Sequence, residues 1–452
     1  MEPKDKLQLT RDLSIDIYGG YREIGGNIIV IRFKDEAITL DLGLNLSLKN
    51  RFYTWPAFDI EEPHELFRLG IARVVPGLYT EWVDPYTPNE PYETDILGVF
   101  ISHLHIDHTF MIPQINRGIP IFMGEAAKII YDAKREVSRR RRYWVDDNII
   151  FKTFRSHHVI KIGSFKVTPV HVDHSIPGAY GFKIETPDGV IAYSGDYRLH
   201  GALGEHEISS SLTMDFIYSL SEDEVSLFIT EGTKFEDTHI MNEKDVEEKI
   251  RYLLDKCDAT VLALFSETDI DRLRSFINVA KKLGWEIMLP LRHFYIIKKL
   301  IENDPHIKVD FDQSIISVYC RRKTRYERWE KDVSGKAMDE GYRFITLPTK
   351  QKINKTILVG FLGVRRELMK MNIPIGSIAI LSYSEPVDEE SEFQLDKLLS
   401  WLKCMNVPSF RVHSSGHIYL RDLREVINQV KPKDIYIIHS EFPDEIKSWL
   451  GY

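Results

Sequence analysis

Residues 14–43 hold three short runs of aliphatic and β-branched residues, SIDIYGG, NIIVIRF and AITLDLG, separated by glycine or charged turns. Runs of this length and composition predict strands, and their close spacing predicts a meander at the start of a sheet. The pattern returns at DILGVFIS (95–102), FKVTPVHV (165–172), GVIAYSGD (189–196) and SLFITEG (226–232), and each of these ends in or runs into a loop rich in His, Asp or Glu. Chemistry carried at strand ends is typical of layered α/β proteins. Beyond residue 236 the pattern changes. ATVLALFS (259–266) is followed by Ile270, Leu273, Phe276, Ile277, Ala280 and Leu283 at helical spacing, with Gly284 as a stop, and WEIMLP then restarts a strand. Strand, helix, strand predicts a βαβ unit and a parallel sheet of its own, extended by TILVGF (356–361) and SIAILSY (377–383). After about residue 405, SFRVHSSGH and DIYIIHSE again run into histidines and predict a return to the first region. The expected organisation is a first domain in two parts, 1–235 and 406–452, interrupted by an inserted domain over 236–405.

Composition narrows the chemistry. The 452 residues carry a formal net charge of -9, with 43% hydrophobic and 28% charged residues, as in ordinary globular proteins. The charged start, MEPKDKLQLT, and the absence of a long apolar run predict a cytoplasmic protein with no membrane partner. Cys257, Cys320 and Cys404 are distant in sequence and odd in number, so any metal is expected on His and carboxylates. The net charge argues against bulk attraction to nucleic acid, but KREVSRRRRYW (134–144) and CRRKTRYERWEK (320–331) mix basic and aromatic residues as polyanion-binding surfaces do.

The densest cluster is SHLHIDH (102–108). In extended chain leaving a strand, His103, His105 and Asp107 alternate and can point to one side, with His108 beside them. Two imidazoles suit one tetrahedral zinc, and the Asp with the remaining His suits a second, so the loop reads as half of a two-metal site. Ligand types at other strand ends can supply the rest: His174, with His171 and Asp173 as rivals, Asp196, and His439. Taken singly each is an ordinary satisfied polar residue. Beside HxHxDH that explanation weakens.

Asp41 in TLDLG, the HxHxDH loop, His174 in DHSIPG and Asp196 in YSGD resemble the ordered motifs of the metallo-β-lactamase fold. Glu231 in TEGT, His417 in HSSGH and His439 in IIHSE resemble the further motifs of the β-CASP nucleases, and the whole is most similar to ribonuclease J, especially its short archaeal forms. The resemblance implies an α/β fold: a metallo-β-lactamase αββα sandwich with an inserted β-CASP α/β domain. It implies two zinc ions per chain, one on His103, His105 and His174 and the other on Asp107, His108 and His439, with Asp196 shared and Asp41 orienting a ligand. The ions would activate a water for in-line attack on RNA, and Glu231 with His417 would act with Asp107 in catalysis. His413, Ser415 and Gly416 would seat a 5′-monophosphate on single-stranded RNA, and Arg272 would contact that RNA. The segment GFLGVRREL (360–368) departs from the Gly-Ser-Gln run expected there. A homodimer, if formed, is not expected to use a bacterial-type C-terminal domain, since the sequence stops at Tyr452. The competing readings are an internally cutting endonuclease and a small-molecule ester hydrolase of the same fold.

Overall fold

The structure is a computed structural model that describes residues 2–53, 60, 63–79, 94–138, 148–201, 209–235, 241–350, 353–371, 373–383 and 389–452. Its first sheet follows chain order: β1 (Asp5–Gln8), β2 (Leu13–Gly19), β3 (Ile28–Phe33), β4 (Glu36–Leu40), β5 (Ile96–Phe100), β6 (Ile121–Gly124) and β7 (Phe151–Phe154). The short turns predicted from the meander make β1 to β4 antiparallel, and longer crossovers make β4 to β7 parallel. The second sheet holds β8 (Ile160–Ile162), β9 (Phe165–His171), β10 (Tyr180–Thr186), β11 (Gly189–Tyr193) and β12 (Val225–Glu231), and β20 (Ile435–Ile438) pairs beside β12.

The two sheets face each other. Ile15, Ile17, Ile29 and Ile31 of β2 and β3 meet Phe182, Ile184, Ile191 and Ile229 of the second sheet in one buried core. Residues of opposite parity cover the outer faces; Phe216, Ile217, Val426 and Ile427, from helices Ser209–Ser221 and Leu420–Val430, pack beneath the second sheet. These layers are the expected αββα sandwich.

Between β12 and β20 the chain builds a third sheet from β13 (Thr260–Leu264), β14 (Glu286–Pro290), β15 (Ile316–Arg321), β16 (Arg343–Leu347), β17 (Thr356–Val359), β18 (Ile378–Leu381) and β19 (Ser409–Arg411), in the order β16-β15-β14-β17-β13-β18-β19. The predicted helix forms over Ile270–Leu283: the Asp269 carboxylate caps it by accepting from the Arg272 N–H, and Gly284 ends it in the left-handed region. The third sheet reaches past the boundary expected at 405. The sequence pattern groups Ser409–Arg411 with the first domain, but these residues pair in parallel with β18; a strand three residues long carries no pattern that selects its sheet. Among the described residues no helix is long and apolar enough to cross a membrane.

Candidate metal centre

One edge of the sandwich gathers the polar groups. Asp41 follows β4, the 102–108 loop follows β5, His174 lies beyond β9, Asp196 beyond β11, Glu231 ends β12 and His439 follows β20. The 102–108 loop is stitched down by its backbone: the Leu42 N–H donates to the His108 carbonyl at 2.7 Å and the Gly26 N–H to the Asp107 carbonyl at 3.0 Å. Gly43 permits this approach, since a Cβ there would stand 1.7 Å from the Asp107 carbonyl oxygen. Asp41 and His439 sit at φ 57° and 52°, a left-handed conformation costing non-glycine residues about 1–3 kcal/mol. Backbone bonds hold both there, from the Asp41 N–H to Phe100 at 3.0 Å and from the His439 N–H to Gly20 at 2.6 Å.

Among the described residues side chains converge in three groups that share Asp196: His103, His105, His174 and Asp196; Asp107, His108, Asp196 and His439; and Asp196, Glu231, His417 and His439. In the first, His103 Nε2 and His174 Nε2 each lie 3.0 Å from His105 Nδ1. Ligands around a tetrahedral zinc with Zn–N bonds of about 2.0–2.1 Å stand about 3.3 Å apart, close to this spacing. In the second, His439 Nε2 lies 3.0 Å from Asp107 Oδ2 and His108 Nε2 lies 3.2 Å from Asp196 Oδ2. Asp196 Oδ2 is also 3.6 Å from His103 Nε2, so one carboxylate faces both of these groups. Both Asp196 oxygens and His108 Nε2 are buried without a hydrogen-bond partner. Buried groups left this way are costly, and five imidazoles with two carboxylates and no thiolate suit zinc, so the residues fit a pair of divalent ions.

The far side of each ring is tethered. Asp41 Oδ2 contacts His108 Nδ1 at 2.8 Å and accepts from Tyr193 Oη at 2.6 Å, while Ser102 Oγ lies 3.0 Å from His103 Nδ1. His174 Nδ1 donates to the Gly416 carbonyl at 2.6 Å, and His439 Nδ1 lies 2.8 Å from Thr233 Oγ1. Such outer contacts fix ring orientation and tautomer. Burial, then neighbouring imidazoles, holds His103 and His174 well below the usual range, and burial brings His105 down to about 4. These rings are neutral, the form that ligates. Burial opposes charge in the second group too, but Asp196, Asp41 and Asp107 push His108 well above its usual value, and Asp196 and Asp107 bring His439 up to about 9. Asp107 and Asp196 lie below the usual carboxylate range, their burial outweighed by His108 and His439. The protons on His108 and His439 sit where a cation's charge belongs.

In the third group, His417 Nδ1 is 2.8 Å from Glu231 Oε2 and 3.7 Å from Asp196 Oδ2. The buried Glu231 also accepts from the Tyr197 N–H at 2.8 Å and the Thr233 hydroxyl at 2.6 Å. An open pocket of about 250 Å³ joins His105, Asp107, Asp196 and His417 to Asp269, Ser382 and His413 across the junction with the third sheet. Gly416 also lines it, whereas Ser415 is buried behind, its Oγ accepting from the His417 N–H at 3.1 Å.

Two fully buried arginines hold this 412–416 loop. Arg198 pairs with Asp271 at 2.7 Å, Asp173 at 3.3 Å and Glu243 at 3.4 Å, and donates to the Ser415 carbonyl at 3.2 Å. Arg272 pairs with Glu243 at 2.7 Å, donates to Ser382 and the Ser414 carbonyl, and lies 3.4 Å from His413 Nδ1. The expected contact of Arg272 with substrate therefore gives way to a supporting one, because burial commits its guanidinium to protein partners. Of the three candidates near the end of β9, His174 enters the site; Asp173 serves Arg198, and His171 stacks on Tyr180 with centroids 5.1 Å apart. Arg198, Glu243, Tyr193 and Thr233 carry no signal in the sequence, since a buried partner leaves no local pattern. The basic run at 139–144 lies outside the described residues.

Two family models match the chain, a beta-lactamase superfamily domain over residues 75–261 and a Zn-dependent metallo-hydrolase RNA specificity domain over 409–447. Ribonuclease J of Methanocaldococcus jannaschii is 24% identical over 462 residues, covering 95% of this chain and 92% of that protein. The chain resembles ribonuclease J over nearly its whole length. Ribonuclease J of Mycoplasma genitalium is 23% identical over 446 residues, covering 94% of this chain and 67% of its own length. A solved protein of unknown function from Enterococcus faecalis V583 shares the fold, with a TM-score of 0.71 and 22% identity over 96% of this chain and 95% of that one. In this ribonuclease J relative the two matched segments are the ones that meet at the pocket: Asp107, His174 and Asp196 lie in the first, and His413, His417 and His439 in the second.

Proposed function

We propose that this metal-dependent ribonuclease holds two zinc ions per chain and degrades single-stranded RNA from its 5′ end. The single observation that carries this is the convergence of both imidazole groups on Asp196 with the Glu231–His417 pair alongside. Two bound ions would supply Lewis acidity and an activated water for phosphodiester hydrolysis. His103, His105 and His174 would hold one, and Asp107, His108 and His439 the other, with Asp196 facing both. Asp41 keeps the His108 ring aimed inward. Glu231 accepts the His417 Nδ1–H and so steadies a ring that also carries a proton on Nε2, the proton that would pass to the leaving 3′-oxygen.

End selection rests on His413 and Gly416. Arginine has only donors to offer, so His413 Nδ1 accepts from Arg272 and its proton lies on Nε2, a buried group without a protein partner. Burial, then Arg272, Arg411, Lys234 and Arg198, pushes His413 down to about 2, which keeps it a neutral donor. A terminal phosphate, more highly charged than an internal one, gains more from such donors. Ser415 shapes this seat from behind. The segment 236–405 would act as the inserted β-CASP unit that closes over the strand.

The test compares RNAs differing only in a 5′-monophosphate, 5′-triphosphate or 5′-hydroxyl, with wild-type protein and Ser415→Ala. Release of mononucleotides, fastest from the 5′-monophosphate and with that preference reduced in the variant, is expected. Equal rates on all three, or internal fragments first, would instead make the protein an endonuclease.

A further inference from the structure

Every neighbouring pair in the third sheet is parallel, so all seven strands end on one edge. Three of those ends reach the pocket: Ser266 and Asp269 after β13, Ser382 and Tyr383 after β18, and His413 after β19. The basic stretch at 320–331, one of the two that mix cations with aromatics, lies on the same edge. Arg321 ends β15, with Arg322, Lys323 and Arg325 directly after it, and Arg365 and Arg366 follow β17. Arg321 Nε lies 3.8 Å from Glu367, which joins the β15 and β17 loops over the end of β14.

Arg322, Arg325 and Arg366 are exposed, and none of the three forms an ion pair with an acid among the described residues. Other surface cations, such as Lys281, Lys298 and Arg343, are paired with acids. A cluster of unpaired arginines on one edge repels itself unless a polyanion covers it.

We infer that this edge is a track for RNA, along which the strand lies between the metal pocket and the β15 loop, held through its phosphates by Arg322, Arg325 and Arg366. The inference rests on the RNA-degrading reading of the pocket. From β18 to β15 there are four strand spacings of about 4.8 Å, or about 19 Å in all. A stacked strand advancing about 3.4 Å per nucleotide needs about six nucleotides to cover that span. RNAs shorter than this reach the pocket without reaching the arginines. Arginine suits the role, because its planar fork binds phosphate with two donors.

The experiment replaces Arg322, Arg325 and Arg366 together by alanine and compares 5′-monophosphorylated RNAs of about three and about twenty nucleotides, on either side of the predicted span. For the long RNA, KM is expected to rise about tenfold, and the slope of log affinity against log salt to shrink by about 2, at about 0.7 for each phosphate that no longer meets an arginine. Activity on the short RNA and kcat on the long one stay at wild-type values. An unchanged KM and salt slope on long RNA, or an equal loss on both lengths, overturns the track. If wild-type protein cleaves no RNA, the reading of the pocket fails; fluorescence anisotropy of labelled twenty-nucleotide RNA on the same two proteins then still decides the track.

Discussion

Replacing Arg198 by methionine removes the one cation that touches Asp173, Glu243 and Asp271 together. The guanidinium is fully buried, so no water takes its place, and truncating one partner of such a network costs about 3–5 kcal/mol. For a chain of 452 residues, at about 2.1 cal/mol/K of unfolding entropy per residue, that corresponds to a fall of about 3–5 °C in melting temperature. The loss depends on pH in a definite direction. Burial already raises Asp271 to about 7 and Asp173 to about 6, even with Arg198 present. A carboxyl raised in the folded state contributes stability that is complete below its unfolded value and disappears as pH rises through the folded one. Without Arg198 the folded values rise further, so the acids can discharge themselves in mild acid and cannot in alkali. Thermal melts of R198M against wild type are therefore expected to differ more at about pH 8 than at about pH 5, with the 412–416 loop released and cleavage reduced in both. An equal deficit of R198M against wild type at the two pH values, or a larger deficit in acid, would refute the reasoning.

His103→Ala and Asp196→Ala are each expected to abolish RNA cleavage while leaving a folded protein, with metal analysis giving less than the two ions per chain of wild type. Glu231→Gln and His417→Ala should keep both ions and lose about a hundredfold or more in turnover, the usual share of general acid catalysis, which single-turnover assays at fixed metal content will read. Gly43→Ala drives a Cβ against the Asp107 carbonyl and the Asn27 N–H; a loss of about 1–3 kcal/mol in stability, as for other overpacked sites, and a weaker metal affinity are expected from melting and chelator competition.

The sequence by itself determined the elements and most of the chemistry. Period-two alternation marks strands whether or not their partners are known, but the extended chain expected through HxHxDH reaches only His105: Asp107 and His108 stand on a helical turn, Ile106–Thr109, that alternation did not predict. His174, Asp196 and His439 could be found because each stands where a strand runs out, whereas Glu231 and His417 were singled out by the resemblance of their motifs. Tertiary structure alone decided between neighbours: Asp173 and His174 are adjacent, both are ligand types, and the turn after β9 sends one to Arg198 and the other to His105. It also decided the fate of Arg272, which a linear pattern cannot distinguish from an exposed arginine, and it moved Ser409–Arg411 into the third sheet. Burial, hydrogen-bond partners and strand neighbours are relations between residues far apart in the chain. Local periodicity reports only which face a residue occupies, and what lies opposite that face is set when the sheets pack.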